Sequence, residues 1–168
     1  HMAKPLLEAG HRVAVLDIAL DGASVLAETH PGSCLCIEAD VRDFAALERA
    51  VAEATSSFGG IDAAVQNACL CPFESFADST DEIYLSAYYV NFLGAVHLAR
   101  AALPHMNEGG RIAFTSSGVG VTGFPSLSAY ASTKGAIEAL AKCLRLENID
   151  DELVLAVEKD QVMVRTSA

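Results

Sequence analysis

Short apolar runs alternate with longer amphipathic segments along the 168-residue chain. Apolar runs of about four to eight residues are typical of buried strands, and apolar residues at helical spacing are typical of helices. The predicted strands span residues 12–17, 34–40, 61–65 and 111–115, with short candidates at 153–157 and 162–164. The predicted helices span residues 4–10, 23–29, 44–57, 78–89, 91–106 and 128–146.

Residues at the boundaries of these segments support the assignment. Asp43 is a typical N-cap for the helix 44–57, while Gly10 and Gly59 are typical of helix ends. Residues 118–126 are rich in glycine and predict a loop. Strands that alternate with helices through short turns predict one domain, residues 1–168, with a doubly wound α/β fold and a parallel sheet covered on both faces. Ligands bind such folds beyond the carboxyl ends of the strands.

The composition excludes several classes of protein. Apolar residues make up 52% of the chain and charged residues 20%, which is ordinary for a globular domain. We expect no membrane association, because no apolar run approaches the ~18 residues of a transmembrane helix. We expect no nucleic-acid partner either, because the formal net charge is -11 and no cluster of Lys and Arg offsets it.

The chain contains five cysteines, and the layout of its first residues predicts no export signal. An odd number of cysteines predicts reduced thiols and a cytoplasmic protein. Cys34 and Cys36 lie in a predicted strand, where they would face the same side and act as small buried hydrophobic residues. A metal site built from this pair and from Cys69 and Cys71 is disfavoured, because zinc sites usually use wider spacings.

Tyr130 and Lys134 are the first candidates for chemistry. Their spacing places both side chains on one face of the predicted helix. An ammonium near a phenol lowers the phenol's pKa from about 10 toward working pH. A group that exchanges a proton with an alcohol or carbonyl requires such a pKa. Ser117 ends a predicted strand, where its hydroxyl can stabilise charge on a reacting oxygen or simply cap a turn.

Further motifs surround these residues in a fixed order. They are Pro-Phe-Glu at 72–74, Val-Asn-Phe-Leu-Gly at 90–94, Ala-Leu-Pro-His-Met at 102–106, Gly-Arg-Ile at 110–112, Thr-Ser-Ser at 115–117, Gly-Phe-Pro at 123–125 and Ala-Tyr-Ala-Ser-Thr-Lys at 129–134. Together they resemble the short-chain dehydrogenase/reductase family over nearly the whole chain up to about Asn148. The resemblance implies a Rossmann-like fold and hydride transfer between a nicotinamide cofactor and an alcohol or carbonyl substrate.

The resemblance also implies roles for four catalytic residues. Tyr130 would be the general acid/base, and Lys134 would lower its pKa and hold the nicotinamide ribose. Ser117 would position the substrate oxygen. Asn91 would anchor a water in the proton relay, and it also suits helix capping.

Besides Tyr130 and Lys134, five further residues would contact the cofactor. Asp17 ends a predicted strand, where a carboxylate accepts hydrogen bonds from the adenosine 2′-hydroxyl and repels a 2′-phosphate. NAD is therefore expected in preference to NADP, with the start of a turn as the alternative role of Asp17. Asp40 and Val41 match the family's adenine contacts, and Asn67 and Ala68 match its Asn-Asn-Ala-Gly element.

The sequence departs from the family pattern in three places. The family's initial strand and glycine-rich pyrophosphate turn are absent, so the strands at Val13 and Val65 would lose their common neighbour. Cys69 replaces a glycine and is expected to crowd the cofactor or to demand a different backbone angle. No Pro-Gly turn or substrate lid is recognisable after Glu147. We therefore expect a fold incomplete at both ends, from a longer protein or, alternatively, from a truncated homologue.

The combined prediction is a cytoplasmic, NAD-preferring oxidoreductase that interconverts a secondary alcohol and a ketone. The alternative is a catalytically inactive scaffold that has lost dinucleotide binding. The resemblance implies a homodimer or homotetramer built through the helices at 91–106 and 130–146. The outward faces of these helices are expected to carry Ala95, Ala99, Ala102, Ala136 and Ala139.

Overall fold

A computed structural model describes residues 2–147 and the backbone of residues 155–157. The helices are α1 (Ala3–Glu8), α2 (Ser24–Thr29), α3 (Phe44–Phe58), α4 (Asp81–Ala87), α5 (Gly94–Ala102), α6 (Val119–Thr122) and α7 (Ser128–Leu146). A π-helical turn (Tyr88–Leu93) joins α4 to α5, and a 3₁₀ turn (Leu103–His105) follows α5. The strands are β1 (Val13–Asp17), β2 (Cys34–Glu38), β3 (Ile61–Gln66), β4 (Met106–Thr115) and β5 (Leu155–Val157). The predicted alternation of strands and helices is confirmed, while the strand predicted at 162–164 lies outside the described residues.

The capping residues act as predicted. The Asp43 carboxylate accepts a hydrogen bond from the Ala46 N–H at 3.1 Å, which satisfies a backbone donor in the first turn of α3. Gly59 ends the same helix with a positive φ of 83°. Only glycine adopts this backbone conformation without strain, so α3 ends where the sequence places the glycine.

Two predicted boundaries are wrong. The helices predicted at 78–89 and 91–106 form one continuous helical run, because the expected break at Val90 is a π-helical turn. The strand predicted at 111–115 begins earlier, at Met106 of β4, whose register against β3 passes from Ile61↔Met106 to Ala63↔Arg111. The extra residues form a bulge, in which Gly109 takes a positive φ of 75°.

All strand pairs are parallel, and they form two separate sheets. One sheet has the order β1-β2 and the other has the order β3-β4-β5. Among the described strands, β1 and β3 therefore each pair along one edge only. No strand in the described part of the chain lies between them. Helix α3 packs across both sheets, since Leu47 and Val51 belong to a cluster that includes Ile37 of β2 and Ile61 of β3.

The two sheets differ in how their faces are covered. On β2, Ile37 packs toward α3, while the Cys36 thiol on the opposite face donates to the Ala23 carbonyl next to α2 at 3.2 Å. One face of β3 and β4 packs against α5 and α7. On the other face, Ala63 is exposed and Val65 is 42% exposed. Coverage on both faces is thus confirmed for β2 and is wrong for β3.

The prediction that the small residues of α5 lie on its outward face is wrong. Ala95, Ala99 and Ala102 are buried in the cluster that contains Ile112 and Phe114 of β4. Their size allows α5 to approach the sheet closely, and they are not available to a partner subunit. On α7, Ala136 is half-buried and Ala139 is exposed, as the prediction requires.

Cys34 and Cys36 face the same side of β2, with their sulfur atoms 4.0 Å apart. Cys34 is buried, and burial together with its neighbour Cys36 raises its pKa to about 11. A thiol held in its neutral form behaves as a small apolar side chain. This agrees with the interpretation of these residues as packing residues.

Candidate active site

Helix α7 presents Tyr130 and Lys134 on one buried face, as their spacing predicts, and Thr133 lies on the same face. Tyr130 is 6% exposed and Lys134 is completely buried. The Lys134 Nζ donates a hydrogen bond of 2.6 Å to the Thr115 carbonyl at the end of β4. It also lies 5.4 Å from the centroid of the Tyr130 ring. The hydrogen bond fixes the ammonium at the carboxyl edge of the sheet, next to the phenol.

Burial raises the pKa of Tyr130 above its ordinary value. The Ser117 side chain lies close enough to the phenol to lower that pKa, although it does not outweigh burial. The predicted lowering of the Tyr130 pKa is therefore wrong for this structure. A buried phenol loses the solvent that stabilises its anion, so the neutral form is favoured.

Gly120 and Gly135 allow the loop that carries Ser117 to approach α7 closely. Gly120, in the short helix α6, packs directly on the backbone of α7. A Cβ atom at Gly120 would lie 2.8 Å from the Gly135 nitrogen and 2.9 Å from the Lys134 carbonyl carbon. Only glycine permits this approach, which keeps the loop after β4 close to the turn that carries Lys134.

Asn91 lies in the π-helical turn and is completely buried. Its Oδ1 accepts from the Leu70 N–H at 2.7 Å, and its Nδ2 donates to the Leu70 carbonyl at 2.8 Å. The same Nδ2 donates to the Thr133 Oγ1 at 2.9 Å, and that hydroxyl donates to the Tyr130 carbonyl at 2.7 Å. Asn91 thus ties the loop after β3 to the turn of α7 that carries Tyr130.

The residues after β3 also lie at this edge. The Asn67 Oδ1 accepts from the Thr115 Oγ1 at 3.1 Å, which ties the ends of β3 and β4 together. Ala68 is exposed, and its carbonyl accepts from the Gln66 Nε2 at 2.6 Å. The buried Gln66 Oε1 has no partner within the described residues. Asn67 and Ala68 therefore lie at the same edge of the sheet as Thr115, whose carbonyl holds Lys134.

The other three predicted cofactor residues lie at the ends of β1 and β2. The Asp17 carboxylate is exposed and accepts from the Ala19 N–H at 3.1 Å, so it does start a turn. Asp40 is held by Arg42, with the closest contact 2.6 Å from the Arg42 guanidinium, and this pairing lowers the pKa of Asp40.

Val41 connects the two groups of site residues. It packs against Gly94 of α5, where a Cβ would lie 2.9 Å from the Val41 Cγ2. Its carbonyl accepts from the His97 Nδ1 at 2.9 Å. The first turns of α5, which follow Asn91, therefore contact the end of β2.

Cys69 fits its position without backbone strain. Ser126 is the only non-glycine residue with a positive φ in the described part of the chain. The backbone at Cys69 therefore does not need the conformational freedom of glycine. Its side chain is exposed.

Sequence reasoning missed Thr115 and Thr133. Thr133 has a usable signal, because it lies between Tyr130 and Lys134 on the same helical face. Thr115 contributes its carbonyl to Lys134 and its hydroxyl to Asn67. No sequence pattern identifies the backbone carbonyl that a side chain contacts, so the contact between Lys134 and the Thr115 carbonyl could not be predicted.

A parallel α/β fold with a buried tyrosine and lysine beside a strand-end serine defines a class of dinucleotide-dependent oxidoreductases. The chain belongs to the short-chain dehydrogenase family, whose family model matches residues 1–158.

Curated relatives support this assignment. Versicolorin reductase 1 of Aspergillus parasiticus is 35% identical over 122 residues, which cover 72% of this chain and 47% of that protein. Oxidoreductase UcpA of Salmonella typhimurium is 36% identical over 152 residues, which cover 87% of this chain and 57% of that protein. The chain therefore spans about half the length of the curated relatives it matches.

Solved structures give the same result. A short-chain dehydrogenase/reductase from Brucella melitensis, described as a glucose/ribitol dehydrogenase, superimposes with a TM-score of 0.84 at 26% identity over 90% of this chain and 65% of that one. An alcohol dehydrogenase from the archaeon Thermococcus sibiricus, complexed with 5-hydroxy-NADP, gives 0.87 at 25% identity over 94% and 68%.

Two further features are absent from the described residues. None of the helices there is long and apolar enough to cross a membrane. No group of three or more His, Cys, Asp or Glu side chains is arranged there to hold a metal ion.

Proposed function

We propose that the protein interconverts a secondary alcohol and a ketone in an NAD(P)-dependent reaction, with Tyr130 as the general acid/base. The observation that carries this proposal is the group formed by the Tyr130 phenol, the nearby Ser117 hydroxyl and the Lys134 ammonium at the carboxyl ends of β3 and β4. Parallel α/β folds bind their ligands at this edge.

Each residue has a distinct task in the proposed reaction. In reduction, the neutral Tyr130 phenol donates its proton to the carbonyl oxygen, and burial keeps the proton on the phenol beforehand. In oxidation, the phenolate accepts the hydroxyl proton. Ser117 donates a hydrogen bond to the substrate oxygen, and the buried Lys134 ammonium stabilises the phenolate that reduction leaves behind.

Asn91 completes the proposed proton relay by holding a water. The two hydrogens of its amide nitrogen are committed to Leu70 and Thr133. We therefore assign the water to a carbonyl oxygen of Asn91, of the side chain or of the backbone, because such an oxygen can accept two hydrogen bonds.

The residues present suit the two riboses of a nicotinamide dinucleotide. When bound, that cofactor supplies the site that accepts hydride from the substrate carbon or returns it. Lys134 would hold the nicotinamide ribose, while Asp40, Val41, Asn67 and Ala68 would contact the adenosine half. The unpartnered Gln66 Oε1 beside Ala68 supports a ligand at this loop. The exposed Asp17 carboxylate favours NAD over NADP, because it would repel a 2′-phosphate.

Replacement of Tyr130 by Phe tests the mechanism. Tyr130→Phe removes the proton donor and keeps the ring, so turnover of a panel of secondary alcohols with NAD is expected to fall by roughly 10²- to 10⁴-fold. Tyr89→Phe removes an exposed phenol from the π-helical turn and serves as the control. Unchanged turnover in Tyr130→Phe would exclude the proposed mechanism.

A second candidate function is that of an inactive scaffold. The separation of β1 from β3 favours it, because this gap lies where the family's central strand and pyrophosphate turn would be. Calorimetric titration of the 168-residue chain with NADH distinguishes the two candidates. Binding supports the enzyme, and absence of binding supports the scaffold.

We also propose a homodimer or homotetramer acting on a small alcohol or carbonyl substrate in the cytoplasm. All five cysteines are free, which supports a reducing compartment. The exposed face formed by α4, the π-helical turn and α7 supports an oligomer. Its exposed apolar side chains are Leu85, Tyr88 and Tyr89, whereas the alanines of α5 that were predicted to form the interface are buried.

A further inference from the structure

Cys69 and Cys71 lie at the candidate active site, and the proposed reaction uses neither of them. Both are free and exposed. They flank Leu70, whose N–H and carbonyl are both bonded to the Asn91 amide. Through Thr133, the same amide is tied to the Tyr130 carbonyl. The segment that carries the two thiols is therefore fixed against the Tyr130 turn of α7.

The side chains confirm this proximity independently of the backbone contacts. Both Cys69 and Cys71 lie close enough to the Tyr130 phenol for their charge to raise its pKa. Each sulfur therefore lies within electrostatic range of the phenol, and a group attached to it would change the surroundings of the phenol.

We propose that Cys69 and Cys71 form a paired-thiol modification site for electrophilic carbon compounds, and that an adduct there occupies the space in front of the Tyr130 phenol. The proposal goes beyond the proposed function and does not depend on it. In the reaction, the sulfur of either residue attacks the electrophilic carbon. With a haloacetamide, a sulfur–carbon bond forms, the carbon–halogen bond breaks, halide leaves and the thiol proton passes to solvent.

The remaining cysteines differ in ways that make them controls. Cys34 is buried with a raised pKa, which slows reaction because the thiolate is the nucleophile. Cys143 is free and exposed on the same helix as Tyr130. It lies more than three turns further along α7, about 20 Å away along the helix axis. An adduct on Cys143 is therefore expected to leave the phenol unaffected.

The test combines site mapping with nuclear magnetic resonance at neutral pH. The full chain, with ring-labelled tyrosine, is treated with iodoacetamide, and the modified cysteines are mapped by mass spectrometry. Tyr130→Phe assigns the Tyr130 ring resonance. We expect Cys69, Cys71 and Cys143 to react before Cys34, and the Tyr130 resonance to shift by more than its linewidth.

Two variants separate the thiols. Cys143→Ala is expected to show the same shift, and the Cys69→Ala/Cys71→Ala double variant is expected to show none although its Cys143 is modified. Failure of Cys69 and Cys71 to react while Cys143 reacts would overturn the proposal. So would an unchanged Tyr130 resonance after both have reacted. The readout needs neither cofactor nor turnover, so loss of the proposed enzymatic function in other experiments leaves this test intact.

Discussion

Ser117 and the protein interior act in opposite directions on the Tyr130 phenol. Burial raises the pKa of Tyr130 and Ser117 lowers it, so Ser117→Ala is expected to raise that pKa further. Alcohol oxidation needs the phenolate, so its kcat/KM increases with pH below the Tyr130 pKa, and this increase moves to higher pH in the variant. Ketone reduction needs the neutral phenol and keeps its protonated catalyst at neutral pH. We also expect turnover to fall by roughly 10²-fold, since a donor to the reacting oxygen is lost.

The measurement for Ser117→Ala is a pair of pH profiles, one for each reaction direction. Ser132→Ala is the matched control, because Ser132 lies on α7 and its hydroxyl donates to the Ala129 carbonyl at 2.9 Å, away from the phenol. Identical oxidation profiles for Ser117→Ala and the unaltered protein would contradict the assignment of Ser117.

Some features of individual site residues could be predicted from the sequence, and others could not. The shared face of Tyr130 and Lys134 follows from helix periodicity, and it is confirmed. The direction of the Tyr130 pKa was predicted wrongly, because burial depends on the loops that close over the helix. The Thr115 carbonyl was missed for the same reason, since sequence does not show which backbone group faces a side chain.

At the scale of elements, the contact between α6 and α7 sets the position of Ser117. Gly120→Ala would place a Cβ atom 2.8 Å from the Gly135 nitrogen, so the backbone of the loop must move. We expect a loss of stability of about 1–3 kcal/mol, measured by urea denaturation, together with reduced turnover. Gly22→Ala meets open space and is expected to change stability by less than about 0.5 kcal/mol. Equal effects of the two substitutions would show that the close contact is unimportant.

A second prediction at this scale concerns the exposed face of α4 and α7, which we propose as the subunit interface instead of the alanine face of α5. Leu85 is exposed on α4, and it lines a largely apolar groove with Tyr84, Tyr88, Ser132 and Thr133. If this face joins subunits, Leu85→Glu buries a charge in the interface and is expected to reduce the molar mass measured by light scattering to that of a monomer. Val25→Glu, on an exposed apolar residue of α2, is expected to leave the mass unchanged. An oligomer that survives Leu85→Glu rules out this face.

The type of each element, helix or strand, was predicted better than the residues at which it begins and ends. Strand and helix type followed from the spacing of apolar residues, and α7 begins and ends where the pattern places it. The π-helical turn at Asn91 has no such pattern. It forms where the buried Asn91 amide bonds the Leu70 backbone, a contact between segments 21 residues apart. Likewise, the outward face of α5 was predicted wrongly, because alanine suits both a close helix–sheet contact and a subunit interface.

At the scale of the whole fold, the described part of the chain has an opening between its two sheets. In the described part of the chain, β1 and β3 are edge strands, and α3 packs across both sheets from one side. Val65 remains 42% exposed, and the apolar residues of β1 are only half-buried. Unpaired edges cost stability, since each hydrogen bond gained there is worth about 0.5–1.5 kcal/mol. An apolar strand placed between β1 and β3 would pair with both edges and cover these side chains.

A fusion that supplies such a strand and a glycine-rich turn ahead of α1 tests this conclusion. We expect a higher free energy of unfolding in urea, slower hydrogen exchange at the amides of Ala14 and Leu16, which point away from β2, and binding of NADH. The control is a fusion of equal length with proline at alternate strand positions, because proline cannot donate to a parallel ladder. A gain shared by both fusions would reflect added length alone. Stabilisation without NADH binding would instead favour the scaffold, since the sheet would then be complete while the dinucleotide site was not.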